Sequence, residues 1–179
     1  MKIIDLPDGK IRLNDGSTQK YKINKKQKHI AKTQKGLIVV NNDFLKKSES
    51  KKKTIIYHER QHLKWFNRIL LNLSRLFAII LFFSGIFSLL SLFKFLIIHT
   101  NPNLLFLVIF VSSFLILILV NYLNEIICDF NAVKNMGMKN LRELLLDYYG
   151  SPKSKNKMKN DFIFHPHWKW RIKIMGSLD

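Results

Sequence analysis

Two apolar runs in the middle of the chain restrict its fold more than any other feature. Residues 76–98 are interrupted only by scattered Ser, Gly85 and Lys94, and residues 104–123 only by Ser112, Ser113 and Asn121. Each run is long enough to cross a hydrocarbon layer of about 30 Å as a helix. Because the five residues between them allow no more than a turn, the sequence predicts an antiparallel transmembrane hairpin.

Basic residues flank the apolar runs on both sides. The chain has 30 Lys and Arg against 12 Asp and Glu, and every basic residue except Lys94 lies in residues 1–75 or 124–179. Since cationic segments stay in the cytoplasm, we predict cytoplasmic termini, a cytoplasmic active site and a first span that acts as an uncleaved anchor. The lipid bilayer is the expected partner, and nucleic acid is not, because no nucleic-acid-reading motif is present. The oligomeric state is left open.

A metal-binding motif, H-E-x-x-H, precedes the first apolar run. On a helix, His58 and His62 lie on one face with their Cβ atoms about 6 Å apart, a separation at which two imidazoles can hold one zinc ion. Glu59 stands beside them, where a carboxylate can act as general base toward an attacking water molecule. The alternative interpretation is an ordinary polar helix.

The third zinc ligand is expected from the helix that continues the second apolar run. Glu125 and Asp129 are four residues apart and share one helix face, and the hairpin returns that face to the side of His58 and His62. Glu125 is the predicted ligand, and Asp129 is predicted to accept a hydrogen bond from His58 and fix its tautomer. The alternative is a pair of carboxylates at the end of the span that cap the helix or snorkel toward the membrane surface.

The N-terminal region predicts a small β element. Short apolar alternations around Asp8-Gly9 and Asp15-Gly16 indicate a hairpin, and the basic stretch 20–28 is interpreted as a solvated linker or a lipid-contacting arm. Leu37, Ile38, Val39 and Val40 predict a buried strand. We expect this strand to lie at a sheet edge and to bind an extended substrate through main-chain hydrogen bonds, although a strand that only covers the metal helix is equally compatible. The metal helix is predicted over residues 52–66.

The motifs together resemble the family of integral-membrane zinc metalloproteases that contains the CAAX prenyl endopeptidase and the heat-shock protease HtpX. The shared features are His58-Glu59-x-x-His62, two spans, Glu125-x-x-x-Asp129-x-x-Ala132 and a His165-Pro166 segment followed by Arg171 and Ile172. The resemblance implies that His165 stabilises the oxyanion of the reaction, and that Arg171 braces the ligand cluster or contacts substrate.

The chain also departs from the family pattern. Arg60 and Gln61 replace an apolar and a small residue inside H-E-x-x-H, so the packing behind the metal helix must differ, and only two spans are present. The Cys128-Asp129 pair is similar to that of antibiotic-sensing membrane metalloproteases of the BlaR type. Cys128 is the sole cysteine, which excludes an intrachain disulfide.

The sequence thus predicts a mainly α membrane protein with a small β element near its N-terminus. A cytoplasmic zincin-like metalloprotease domain would be assembled from residues 1–68 and 124–179, around a two-span transmembrane hairpin in residues 69–123. The expected function is zinc-dependent endopeptidase activity on a peptide or a membrane protein, with one zinc ion. The alternatives are a relative of the BlaR-type proteases and a non-catalytic membrane protein. A structural zinc site closed by His165 or Cys128 is a further possibility.

Overall fold

The computed structural model describes residues 6–27, 29–98, 104–149 and 166–177. These residues are mostly helical and include a four-stranded sheet near the N-terminus. The predicted combination of a helical chain, two long apolar helices and a small N-terminal β element is therefore confirmed.

The sheet consists of two hairpins joined in the order β1-β2-β4-β3. Strands β1 (Asp8–Arg12) and β2 (Thr18–Ile23) are antiparallel, as are β3 (Ala31–Gln34) and β4 (Leu37–Val40), and β2 pairs with β4 in parallel. Lys35 and Gly36, between β3 and β4, both have positive φ, 50° and 77°. Two such residues form the tight turn whose twist matches that of the flanking strands.

The expected edge position of Leu37–Val40 is wrong. Strand β4 is hydrogen-bonded to β2 on one side and to β3 on the other. The side chains of Ile38, Val39 and Val40 are fully buried, and a strand this apolar is stabilised in the interior of a sheet. The edge strand on this side of the sheet is β3.

Two smaller N-terminal predictions also change. The predicted hairpin is present with Asp15-Gly16 in its turn region, but Asp8-Gly9 begins strand β1. The basic stretch 20–28, expected to be a solvated linker or a lipid-contacting arm, begins inside strand β2.

The metal helix packs against the sheet. Helix α1 (Asn42–Leu45) is short, and α2 (Glu49–His62) follows with Ser48 as its N-cap. Ile55, Ile56 and Tyr57 of α2 are buried in a core shared with the sheet. The predicted helix over 52–66 is interrupted after His62, and a hydrogen bond of 3.0 Å from Gln61 Nε2 to Asn67 Oδ1 closes the corner into the next helix.

Two long helices form an antiparallel pair. Helix α3 (Trp65–Ile98) is continuous past residues 72–75, and α4 (Leu104–Met136) is continuous past the proposed boundary at residue 123. The contacting residues run in opposite directions along the two helices. Asn67 contacts Asn124, Ser74 contacts Asn121, and Phe87 stacks on Phe106. The pair therefore carries the residues after 123 back toward α2.

Both long helices are apolar outside as well as inside. Segments Trp65–Lys94 and Leu105–Met136 are long and apolar enough to cross a membrane. In the most apolar 18-residue stretch of each segment, only 6% and 17% are buried, respectively. Phe82 and Leu89, for example, are 64% and 68% exposed. The core helix of a soluble protein would instead bury most of such side chains.

Two short helices complete the described chain around the end of α4. Gly137, with φ of 81°, ends α4 and its N–H donates to the Val133 carbonyl at 2.7 Å. Helices α5 (Met138–Tyr149) and α6 (Trp168–Gly176) follow. Leu141, Leu145 and Met175 form a small core that fixes α6 against α5. This packing places Arg171 of α6 beside α4.

Candidate metal centre

The last two turns of α2 and the C-terminal part of α4 bring three potential metal ligands together. His58 Nε2 lies 3.6 Å from Glu125 Oε2, and His62 Nε2 lies 3.6 Å from Glu125 Oε1. Metal–ligand bonds of about 2.1 Å at tetrahedral angles separate ligand atoms by roughly 3.4 Å. Each imidazole therefore faces a different oxygen of Glu125, at a separation close to that between two ligands of one metal ion.

Asp129 and Arg171 orient the first histidine. Asp129 Oδ1 lies 2.9 Å from His58 Nδ1, and Asp129 also accepts hydrogen bonds from Arg171 Nε at 2.5 Å and Nη2 at 2.6 Å. With Nδ1 occupied in this way, Nε2 of His58 is left to face Glu125. Burial acts to lower the pKa of His58, but the hydrogen bond and charge of Asp129 and the charge of Glu125 outweigh it and raise that pKa.

Cys128 contacts the second histidine. Its Sγ lies 3.3 Å from His62 Nδ1 and accepts a hydrogen bond from Asn67 Nδ2 at 3.4 Å. Ligand atoms of His58, His62 and Cys128 also lie within 4.8 Å of one another. These three residues form a possible metal-binding set. The His62 nitrogen beside the Cys128 thiol is Nδ1, whereas the His62 nitrogen that faces Glu125 is Nε2.

Glu59 is held by a residue that the sequence did not single out. Thr33 Oγ1 of β3 lies 3.0 Å from Glu59 Oε2 and 3.1 Å from the Glu59 carbonyl oxygen. Burial raises the pKa of Glu59 above the usual glutamate value, and the opposing effects of His58 and of the Thr33 hydrogen bond are smaller. The sequence signal that could have located Thr33 is Gly36, because a glycine between two short runs can supply the positive φ of a tight hairpin turn.

Arg60 and Gln61, the two departures from the family pattern, have partners of their own. Arg60 Nη1 donates to Asp15 Oδ2 at 3.0 Å and to Ser17 Oγ at 2.9 Å, so the β1–β2 turn is fixed to the metal helix. Gln61 bonds to Asn67 at the start of α3. The packing behind the motif is therefore polar, as expected from Arg60 and Gln61 at these two positions.

A cleft of about 580 Å³ passes over the cluster. One side is β3 with the segment before it, and the other is made by α5 and by the adjoining ends of α3 and α4. Residues along its length include Thr33, Ile55, Leu71, Asn121 and Leu144. Glu59 and both histidines line the cleft, so a molecule bound there would contact them.

The structure brings together most of the residues singled out from the sequence. Glu59, Glu125, Asp129 and Arg171 all line the cleft with the histidines, whereas Leu37, Ile38, Val39 and Val40 do not. His165 lies outside the described residues, so its predicted role stays a prediction. No family model, curated protein or solved structure matches this chain.

Proposed function

We propose that this protein is a membrane-anchored, zinc-dependent endopeptidase. The observation that carries the proposal is the placement of both histidine Nε2 atoms 3.6 Å from the two oxygens of Glu125, with Glu59 in the same cleft. A histidine pair with one carboxylate is a ligand set of catalytic zinc sites, which keep a further position open. Zinc in such a site supplies the Lewis acidity that activates water toward a peptide carbonyl.

Glu59 is the proposed general base. It is buried beside the ligands, accepts the Thr33 hydrogen bond on one oxygen and has a raised pKa. A carboxylate with a raised pKa is better able to take a proton from water and to pass it to the leaving amine. His58 and His62 flank it from the same helix, so proton transfer and metal binding share one rigid element.

Strand β3 is the proposed substrate-binding strand, in place of β4. Among the described strands it pairs only with β4, so its outer edge faces the cleft that Ala31, Lys32 and Thr33 line. An extended peptide can add to such an edge through main-chain hydrogen bonds. The Thr33 hydrogen bond to Glu59 would then couple the bound peptide to the general base.

Helices α3 and α4 are the proposed membrane anchor. Their exposed apolar side chains suit a hydrocarbon environment, and the basic residues at both ends favour cytoplasmic termini and a cytoplasmic site. The contact of Arg171 with Asp129 supports the bracing role that the family resemblance implies. We therefore also propose distant membership of that metalloprotease family.

Metal analysis and a casein-cleavage assay on the detergent-purified protein test the proposal. The wild type should contain about one zinc per chain and cleave casein. Glu59→Gln should keep its zinc and lose at least about 100-fold in cleavage, because a general base contributes that much or more. Glu143→Gln, an exposed position on α5, is the matched control and should behave as wild type. Full activity of Glu59→Gln would end the enzyme hypothesis.

A structural metal site is the second candidate, because Cys128 offers a thiol close to both histidines. In that case Cys128→Ser should lose the zinc while Glu125→Gln keeps it. If the site is catalytic, Glu125→Gln should lose the zinc and Cys128→Ser should keep it. Zinc content of the two purified variants therefore distinguishes the two candidates without any measurement of activity.

A further inference from the structure

The cleft continues past the metal ligands toward the apolar part of the hairpin. The residues that line it there are Asn67 and Leu71 of α3 and Asn121 and Asn124 of α4. Asn121 precedes Glu125 by four residues, which is one helical turn or about 6 Å, and it lies inside the apolar run 104–123. Asn121 stands in the last turn of that run and Asn124 follows it, so both carboxamides lie at the end of the apolar segment that is nearest the metal ligands, where they need hydrogen-bonding partners.

The two carboxamides of α4 are oriented by bonds across the helix pair. Asn124 Oδ1 accepts a hydrogen bond from Asn67 Nδ2 at 2.5 Å, and Asn121 Oδ1 accepts one from Ser74 Oγ at 2.9 Å. With both oxygens engaged, the amide Nδ2 groups remain as donors. Among the described residues, neither Nδ2 group has an acceptor. Both residues line the cleft, so two donors are available to whatever fills it.

The spacing of these donors matches an extended polypeptide. Asn121 and Asn124 are three residues apart on a helix, so their Cβ atoms are about 5–6 Å apart. In an extended chain, the carbonyls of residues two apart point the same way and are separated by roughly 6.6 Å. A polypeptide that leaves a membrane helix to bind at β3 in extended form must find partners for its main-chain groups. An acyl or isoprenoid tail has no such requirement.

We propose that Asn121 and Asn124 bind main-chain carbonyls of a membrane-anchored polypeptide, in the segment just outside its own transmembrane span. This inference rests on the proposed endopeptidase function and membrane anchor, and it names the substrate class. The distance of about 6 Å from the level of Asn121 to Glu125 corresponds to about two residues of an extended chain at about 3.3 Å each. The scissile bond would therefore lie about two residues past the carbonyl bound at Asn121, and within about four residues of the substrate's span.

Cross-linking tests binding without requiring activity. The inactive Glu59→Gln variant is placed in phosphatidylcholine vesicles with a photoreactive benzoylphenylalanine at Leu71, which lines the cleft. The matched control carries it at Leu73, which is also exposed but is not a lining residue. The probe is a synthetic single-span peptide library with a randomised ten-residue flank, compared with the same flank without a span. Preferential capture of the anchored library at Leu71 supports the inference, and equal capture of both libraries overturns it.

Cleavage by the active protein separates substrate binding from a purely structural role. We expect Asn121→Leu to lower the ratio of anchored-library to casein cleavage about fivefold, the value of one ordinary hydrogen bond. Ser74→Ala removes the same α3–α4 hydrogen bond but keeps the amide donor, so its ratio should stay within about twofold of wild type. Equal effects of the two variants would mean that Asn121 only joins the helices, and would overturn the inference.

The two proposals fail in different ways. A wild type that binds zinc but cleaves neither casein nor the anchored library contradicts the endopeptidase itself. A wild type that cleaves casein, but cuts the anchored library at positions scattered along the flank, contradicts only the assignment of the substrate class. Mass spectrometry of the products gives the cut positions, and cuts clustered within about four residues of the span support it.

Discussion

Arg171→Met is expected to destabilise the protein strongly, because it leaves the carboxylate of Asp129 buried without its cation. Asp129 is fully buried and Arg171 is 5% exposed. The substitution removes both hydrogen bonds that Asp129 accepts from Arg171, from Nε at 2.5 Å and Nη2 at 2.6 Å, and leaves Asp129 with its contact to His58 Nδ1 at 2.9 Å. The side chain of Met is long and apolar, so much of the packing volume is kept.

The size of the effect follows from the burial of the pair. Hydrogen bonds to charged groups contribute about 1.5–3 kcal/mol each, and removing one partner of a buried ion pair costs about 3–5 kcal/mol. We expect a loss of roughly 3–5 kcal/mol in the free energy of unfolding, or a Tm lower by roughly 6–20 °C for a chain of this size. Zinc affinity should also fall by about 10–100-fold, because Asp129 would no longer be held in place to orient His58.

Thermal unfolding in detergent and zinc titration measure the two effects. Arg142→Met, on the exposed face of α5, is the matched control and should change the free energy of unfolding by less than about 0.5 kcal/mol. The double variant Arg171→Met with Asp129→Asn should be more stable than Arg171→Met alone, because no uncompensated charge remains buried. If Arg171→Met behaves as Arg142→Met does, the ion pair contributes nothing and the reasoning is refuted.

Three further predictions concern the scaffold. The hydrogen bond from Lys51 holds the pKa of Asp147 below its usual value. Asp147→Asn should therefore cost less than about 1 kcal/mol at pH 7, since the pair is partly exposed, and progressively less as the pH falls through the lowered pKa of the folded state; urea unfolding at pH 7 and at a series of acidic pH values checks this. Phe44→Ala should cost about 3–5 kcal/mol in the same assay, because Phe44 is fully buried, and a loss below 1 kcal/mol contradicts its core role. Gly137→Ala should cost about 1 kcal/mol, because φ is 81° there, whereas Gly176→Ala, at an ordinary φ, should not.

Much of the helical architecture was predictable because it depends on local patterns. The apolar runs around residues 76–98 and 104–123 have the length of spans, and a short polar link between them requires an antiparallel arrangement. The four-residue spacings of His58 with His62 and of Glu125 with Asp129 place each pair on one helix face. Helical periodicity alone predicts which residues share a face, and the hairpin predicts that the two faces lie close to each other.

The sheet was less predictable because strand order depends on contacts between segments. Leu37–Val40 has the composition of a strand, but nothing local shows that β2 and β3 pair on either side of it. Residues 31–34 carry mixed polar side chains, so their strand is formed by the turn at Lys35-Gly36 and by pairing with β4. The hydrogen bond from Thr33 to Glu59 exists only as a result of that pairing.

By itself, then, the sequence determined the apolar helices, the histidine pair, its neighbouring glutamate and the acidic pair after the second span, because each is encoded in a helical or hydropathic period. Only the tertiary structure decided which strand faces the cleft, and that Arg171 holds Asp129 and Cys128 contacts His62. The same holds for the carboxamides of Asn121 and Asn124 that line the cleft beside Leu71. These contacts join residues that are distant in the chain. The spacing of residues within one helix or strand does not predict which distant side chains meet when the helices and the sheet pack.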